Sequence, residues 1–255
     1  MHIIFASVLS VIINLGIISA NKNFSSQTFI WDQYTPNKTE NGETREFLTN
    51  CSTNYLEHFQ IKAITINPEK SFSRKNFSSK AEQLLIIKEG RMTLTLNKKN
   101  FSIGPGSIIL SGCNDNIEIF NSDTNPLTFF LFQWKTKNGK TPVSNFSAKV
   151  IDWQNVQFKP TEKGGVRTFL KIPTDLLTEF EMHVTTLDEG IKSHDPHTHP
   201  DDEIILVKTG MVEEVVNGTA YQMGGGSFIL LNGNEPHGIR NIGDKPCEYF
   251  AFRFK

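Results

Sequence analysis

Apolar residues along this chain alternate at a period of two over short stretches, and no long stretch keeps the 3.6-residue period of a helix. Met92, Leu94 and Leu96 alternate with threonines and run into Asn97-Lys98-Lys99-Asn100. Val212 to Val216 run into Asn217-Gly218, a type I′ hairpin signal, because both turn positions need a positive φ. Residues 81–88 and 202–208 are apolar-rich runs closed by Gly90 and Gly210, which reads as strands buried on both faces. Residues 107–110 and 227–231 follow Gly-x-Gly turns, and 127–134 and 247–254 are aromatic, β-prone runs. Only 174–180 admits a short helix. The pattern predicts an all-β protein of short strands and frequent turns, in barrels or sandwiches.

These elements come in pairs, because the chain is an internal repeat. At a shift of 120, Gln83 falls on Glu203, Gly90 on Gly210, Gly106-Ser107 on Gly226-Ser227, and Asn121 on Asn241. Upstream the shift is 122, matching Trp31 with Trp153, Arg45 with Arg167, Phe47-Leu48 with Phe169-Leu170, and Lys70-Ser71 with Lys192-Ser193. The second copy is then two residues shorter between Ser71 and Gln83. The expected division is a first lobe over 21–137, a linker rich in Lys, Asn, Gly, Thr and Pro over 138–149, and a second lobe over 150–255.

Only the second copy carries chemistry. His197 and His199 stand two apart and so share one face of a strand; Glu203 follows four residues later, and His237 lies beyond a hairpin. Imidazoles with one carboxylate suit a divalent iron, manganese, nickel, copper or zinc ion. Four ligands on an octahedral ion leave positions for water, dioxygen or a chelating substrate. In the first copy the same positions hold Phe77, Ser79, Gln83 and Ile117, which supply no competent ligand set, so one ion per chain is expected. Parity places Glu214 inward, since its counterpart Leu94 shares a face with Met92 and Leu96. A buried carboxylate is costly unless it is paired or working, which marks Glu214 as a candidate general base. His194 reads as a solvated loop residue or a neighbour of the ligands, His183 as a hydrogen-bonded core histidine, and Arg253 as pointing away from the core.

The spacing Gly190, His197-x-His199, Glu203, Gly210, followed by Gly226, His237 and Asn241, resembles the two metal motifs of the cupin superfamily. Asn232 and Asn234 stand where that family has a proline and a second glycine. Asn tolerates a left-handed backbone, so Asn234 is expected to keep the turn. The resemblance implies two tandem jelly-roll β-barrel lobes in an intramolecular pseudo-dimer, that is, a bicupin. It further implies a metal-dependent small-molecule enzyme of dioxygenase or oxidase type. A hydrolase or isomerase using the metal as a Lewis acid, and a non-catalytic small-ligand-binding protein, stay open as alternatives. An arginine placed like Arg253 often meets a substrate carboxylate in such pockets, and association of chains through the lobes is a further option.

Composition excludes little else. Twenty-six basic against 27 acidic residues give a net charge of −1, with no basic stripe for nucleic acid. Residues 3–20 are apolar and end Ile18-Ser19-Ala20, which predicts a signal peptide over 1–20 and an exported, periplasmic or secreted protein without a stable membrane span after processing. The alternative is an uncleaved anchor over 3–20. Cys51, Cys113 and Cys247 have no Cys-x-x-Cys spacing and are read as independent thiols.

Overall fold

The computed structural model describes residues 24–73, 81–137 and 146–255. The leader and anchor readings of residues 1–20, the positions Phe77 and Ser79, and most of the expected linker lie outside them. Among the described residues there is no α-helix, and none long and apolar enough to cross a membrane. The segment read as a short helix, 174–180, is instead a turn closed by Thr174 and Leu177, after which Phe180 opens a strand. Phe180 is needed in the core between the lobes, and tertiary burial overrides local propensity there.

Each lobe is a jelly roll of two antiparallel sheets. In the first, β2 (Asn37–Thr39), β3 (Gly42–Cys51), β4 (Leu56–Ile66), β11 (Leu127–Thr136), β6 (Glu82–Glu89) and β9 (Ile108–Ser111) form one sheet. The second sheet holds β5 (Ser71–Ser73), β10 (Ile117–Phe120), β7 (Met92–Leu96) and β8 (Lys99–Ile103). The second lobe repeats this with β13 (Lys159–Thr161), β14 (Gly164–Ile172), β15 (Phe180–Leu187), β21 (Cys247–Phe254), β16 (Asp202–Thr209) and β19 (Phe228–Leu231). Facing them are β18 (Thr219–Gly224), β17 (Met211–Val216) and β20 (His237–Asn241). Asn217 and Gly218 have φ of 50° and 79° and close the hairpin, as their residue types predict; Asn97 and Lys98 do the same in the first lobe.

Each lobe also lends a strand to the other. β1 (Gln27–Phe29) pairs with β19 of the second lobe, and β12 (Lys149–Ile151) pairs with β9 of the first. The Trp that follows each lent strand sits beneath the opposite lobe's glycine turn. A Cβ on Gly226 would stand 3.0 Å from the Trp31 ring, and one on Gly106 2.6 Å from Trp153. Arg45 and Lys88 cover Trp31 at 4.5 and 4.8 Å, while Arg167 and Lys208 cover Trp153 at 4.4 Å each. The repeated Trp, Arg, Gly-Ser and Lys positions are therefore the contacts of a twofold strand exchange.

Strand register corrects the repeat alignment. The shift is 122 at Gly42 and Gly164, but 121 where Ile66 and Leu187 pair opposite them. Lys70 is therefore equivalent to Ile191, not Lys192, as their shared bonds from Asn121 and Asn241 show. One residue is lost in the first hairpin and one after Ser71.

Alternation along β11 and β21 feeds separate cores. Phe130, Phe132 and Trp134 meet Phe250, Phe252 and Phe254 between the lobes, with Phe132 and Phe252 edge to face at 5.1 Å. The intervening residues line the two barrels. Phe129 and Leu131 fill the first barrel with Leu94, Ile117 and Ile119, whereas Tyr249 and Ala251 line the second.

Candidate metal centre

The second barrel is polar at its mouth, and strand parity explains why. On β16, Ile204 and Leu206 face the other lobe, which turns Glu203, Ile205 and Val207 inward. On β20 the inward residues are His237 and Ile239, and on β17 they are Val212, Glu214 and Val216, as the repeat predicted for Glu214. His197 and His199 are not on a regular strand. Pro196 and Pro200 bracket them, and proline cannot donate to a ladder. One isolated bridge remains, with His197 and His237 exchanging backbone hydrogen bonds of 3.1 and 3.0 Å. Asn234, at φ 68°, makes the left-handed turn expected of it and donates its N–H to the His199 carbonyl at 2.7 Å.

One donor atom from each of His197, His199 and His237 lies within 4.8 Å of the others. Glu203 Oε2 is 2.9 Å from His199 Nε2 and 3.3 Å from His237 Nε2. The Nδ1 atoms of His199 and His237 lie 3.0 and 2.8 Å from the carbonyls of Asp201 and Glu235, which leaves Nε2 of each ring free to bind an ion. His237 Nε2 is buried and makes no hydrogen bond of good geometry. An orphaned buried imidazole nitrogen beside two more imidazoles and a carboxylate is the donor chemistry of a divalent transition metal. Burial pushes the Glu203 carboxyl up, but the His199 and His237 imidazoles outweigh it and hold it at about 2, so it stays an anion. Burial and the neighbouring His194, His237 and His199 rings lower His197, which favours the neutral, ligating form.

Behind these residues lies a cavity of about 230 Å³. Glu214 lines it, is 1% exposed, and has a buried Oε2 without a partner. Burial and the Glu203 charge push its carboxyl well above the usual carboxylate range, against one backbone N–H from Gly238 that lowers it. Tyr249 also lines it, bonded to the Ser193 and Thr185 side chains.

One sequence expectation, that for His183, changes here, while Arg253 and the exposed His194 keep readings that the sequence allowed. Arg253 turns away from the core between the lobes but into the mouth of this cavity, where Nη2 is held 2.6 Å from Glu181 Oε2. His183 also lines the cavity, and its ring makes no hydrogen bond among the described residues, so it is no bonded core histidine. Its imidazole is lowered by burial. His194 lines the cavity with its ring 4.2 Å from that of His197. The signal for Arg253 and His183 is strand parity: on β15 His183 shares a face with Glu181 and Thr185, opposite apolar Phe180, Met182 and Val184, whereas β21 is buried on both faces and periodicity alone cannot place Arg253.

An exchanged pair of jelly rolls with three imidazoles and a carboxylate in one of them defines a double-barrel protein with one candidate metal centre. Comparison with known proteins agrees with that class. The cupin domain profile matches residues 183–253. No curated protein sequence matches the chain. Among solved structures, a glyoxylate-induced protein from Pseudomonas aeruginosa, itself of putative assignment, is 15% identical, covering 94% of each chain at a TM-score of 0.69. Oxalate decarboxylase from Lactobacillus farciminis is 13% identical, covering 92% of this chain and 88% of its own, also at 0.69. Hazelnut vicilin, from Corylus avellana, is 13% identical, covering 89% and 85% at 0.66. Residues 183–253 are thus a cupin domain, and the chain as a whole resembles bicupin structures in fold.

Proposed function

We propose that this bicupin is a metal-dependent small-molecule enzyme of dioxygenase or oxidase type, with one divalent ion held by His197, His199, Glu203 and His237. The observation that carries the reading is a cavity with this donor set at its mouth and the buried Glu214 carboxyl on its wall, its Oε2 without a partner. A bound ion would supply Lewis acidity and sites for dioxygen or a chelating substrate. The protein's own part is to exclude bulk water, to orient the substrate against Tyr249 and Arg253, and to carry a proton at Glu214 Oε2. Glu214 is the group placed to exchange that proton with a substrate in the cavity, as general acid or base.

The test is elemental analysis of the purified protein together with dioxygen uptake on a panel of small acids and phenols. Iron, manganese or copper with metal-dependent uptake is expected. Zinc or nickel without uptake would favour the second reading, a hydrolase or isomerase. Small-ligand binding without any turnover would make it a binding protein. For the compartment we propose export, on the apolar run at 3–20 alone. N-terminal sequencing should find Asn21, and an intact Met1 in a membrane fraction would replace the leader with an anchor.

A further inference from the structure

We propose that the ligand-free first lobe positions the metal centre of the second, and that Asn54 is the residue through which it acts. This rests on the metal reading above. Asn54 sits in the turn between β3 and β4, with an exposed side chain, yet its amide reaches across the lobe boundary. Its Nδ2 donates to Asp202 Oδ1 at 3.1 Å and to Asn232 Oδ1 at 2.7 Å, using both hydrogens. The neighbouring Tyr55 N–H donates to Asp202 Oδ2 at 3.4 Å, and Gly233 N–H to Asp202 Oδ1 at 3.2 Å. Asp202 is wholly buried, so these donors are what offset the cost of its burial.

The two segments that Asn54 ties together are the ones that aim the ligands. Asp202 lies between Asp201, whose carbonyl orients His199, and Glu203 itself. Asn232 leads through Asn234, which holds the His199 carbonyl, to Glu235, whose carbonyl orients His237. Gly233 lets these segments close, since a Cβ there would stand 2.0 Å from the Pro200 carbonyl oxygen. Two more residues of the first repeat support the same turn. Asn232 N–H donates to Ser26 Oγ at 2.9 Å, and its Nδ2 to the Phe24 carbonyl at 2.7 Å.

The fold supplies its own control. The counterpart of Asp202 in the first lobe is Glu82, also fully buried, which accepts Thr174 Oγ1 at 2.8 Å and Leu176 N–H at 3.1 Å from the second lobe. That clamp runs in the opposite direction and ends at a lobe without ligands. Breaking either clamp should weaken lobe packing, but only the Asn54 side should disturb the metal.

The experiment titrates the full-length chain with Co(II), following both the dissociation constant and the ligand-field spectrum. Asn54→Ala and the isosteric Asn54→Asp, which removes both donors and sets a carboxylate against Asp202, should weaken Co(II) binding about tenfold and shift the spectrum. Thr174→Val should lower the unfolding midpoint while leaving affinity within about twofold and the spectrum unchanged. Wild-type affinity in folded Asn54→Ala, or an equal loss in Thr174→Val, overturns the positioning role alone. A wild-type chain that binds no Co(II) would bring down the metal reading and this one with it.

Discussion

Glu203 and Glu214 line one small cavity, yet their environments push their carboxyls in opposite directions. Glu203 faces two imidazoles and is held low; Glu214, a few residues along the next strand, meets only one N–H and is pushed up by burial and by the Glu203 charge. Separate roles follow, and they can be told apart. One ion per chain is expected by elemental analysis, lost in His237→Ala or His197→Ala and weakened in Glu203→Gln. Gln83→Ala and Ile117→Ala should leave the metal content unchanged, since neither side chain belongs to a competent ligand set. Retention of a full ion after both histidine changes would refute the site. Glu214→Gln should behave differently, keeping the metal while turnover falls about 10²–10⁴-fold. A loss below about threefold with metal intact would reduce Glu214 to scaffold. The cluster of His197, His199 and His237 was legible in the sequence because its chemistry is rare and its spacing dense. Glu214 was legible only through its repeat partner Leu94, whose apolar neighbours fix the parity.

Strands were legible wherever glycine and asparagine turns bounded them, and less so where burial on both faces erased the alternation. β21 shows the limit. Its even positions pack between the lobes and its odd positions line the metal cavity, so Phe252, Arg253 and Phe254 give no hint from sequence of which way the arginine turns. The exchange of β1 and β12 was hidden too, because three-residue strands carry little pattern and nothing local says whose sheet they join. At the head of β6 the same burial makes a prediction about pH. Glu82 takes three donors, from Trp134, Thr174 and Leu176, yet burial outweighs them and raises its carboxyl from 4.5 to about 7. Between those values the folded chain holds a proton that the unfolded chain has lost, so this group's contribution to stability falls as pH rises. The fall amounts to about 3 kcal/mol at most and is complete above the raised value. Glu82→Gln should remove it, so denaturant titrations should show the wild-type advantage shrinking from pH 4.5 to 8. A difference independent of pH would show that Glu82 is already ionised in the fold.

The two lobes share a single aromatic core and two exchanged strands, and their clamps run both ways, which argues that neither lobe unfolds alone. Phe132 meets Phe228 and Phe252 across the boundary, so Phe132→Ala should cost about 3–5 kcal/mol and loosen both lobes together. The same coupling fixes what metal binding must do. An ion that binds only the folded state stabilises it by about 2.7 kcal/mol at a hundredfold excess over its dissociation constant. If unfolding is one cooperative event, that gain must appear in the first lobe, which supplies no ligand. Amide hydrogen exchange can read it at Leu94 and Ile119, deep in the apolar first barrel, and at Val212 and Ile239 in the second. Adding the metal should slow exchange at all four by the same factor, and His237→Ala should abolish the effect at all four. Protection gained only at Val212 and Ile239 would mean that the lobes open separately. The shared aromatic core would then be a contact surface between two independently stable barrels, and not the centre of one folding unit.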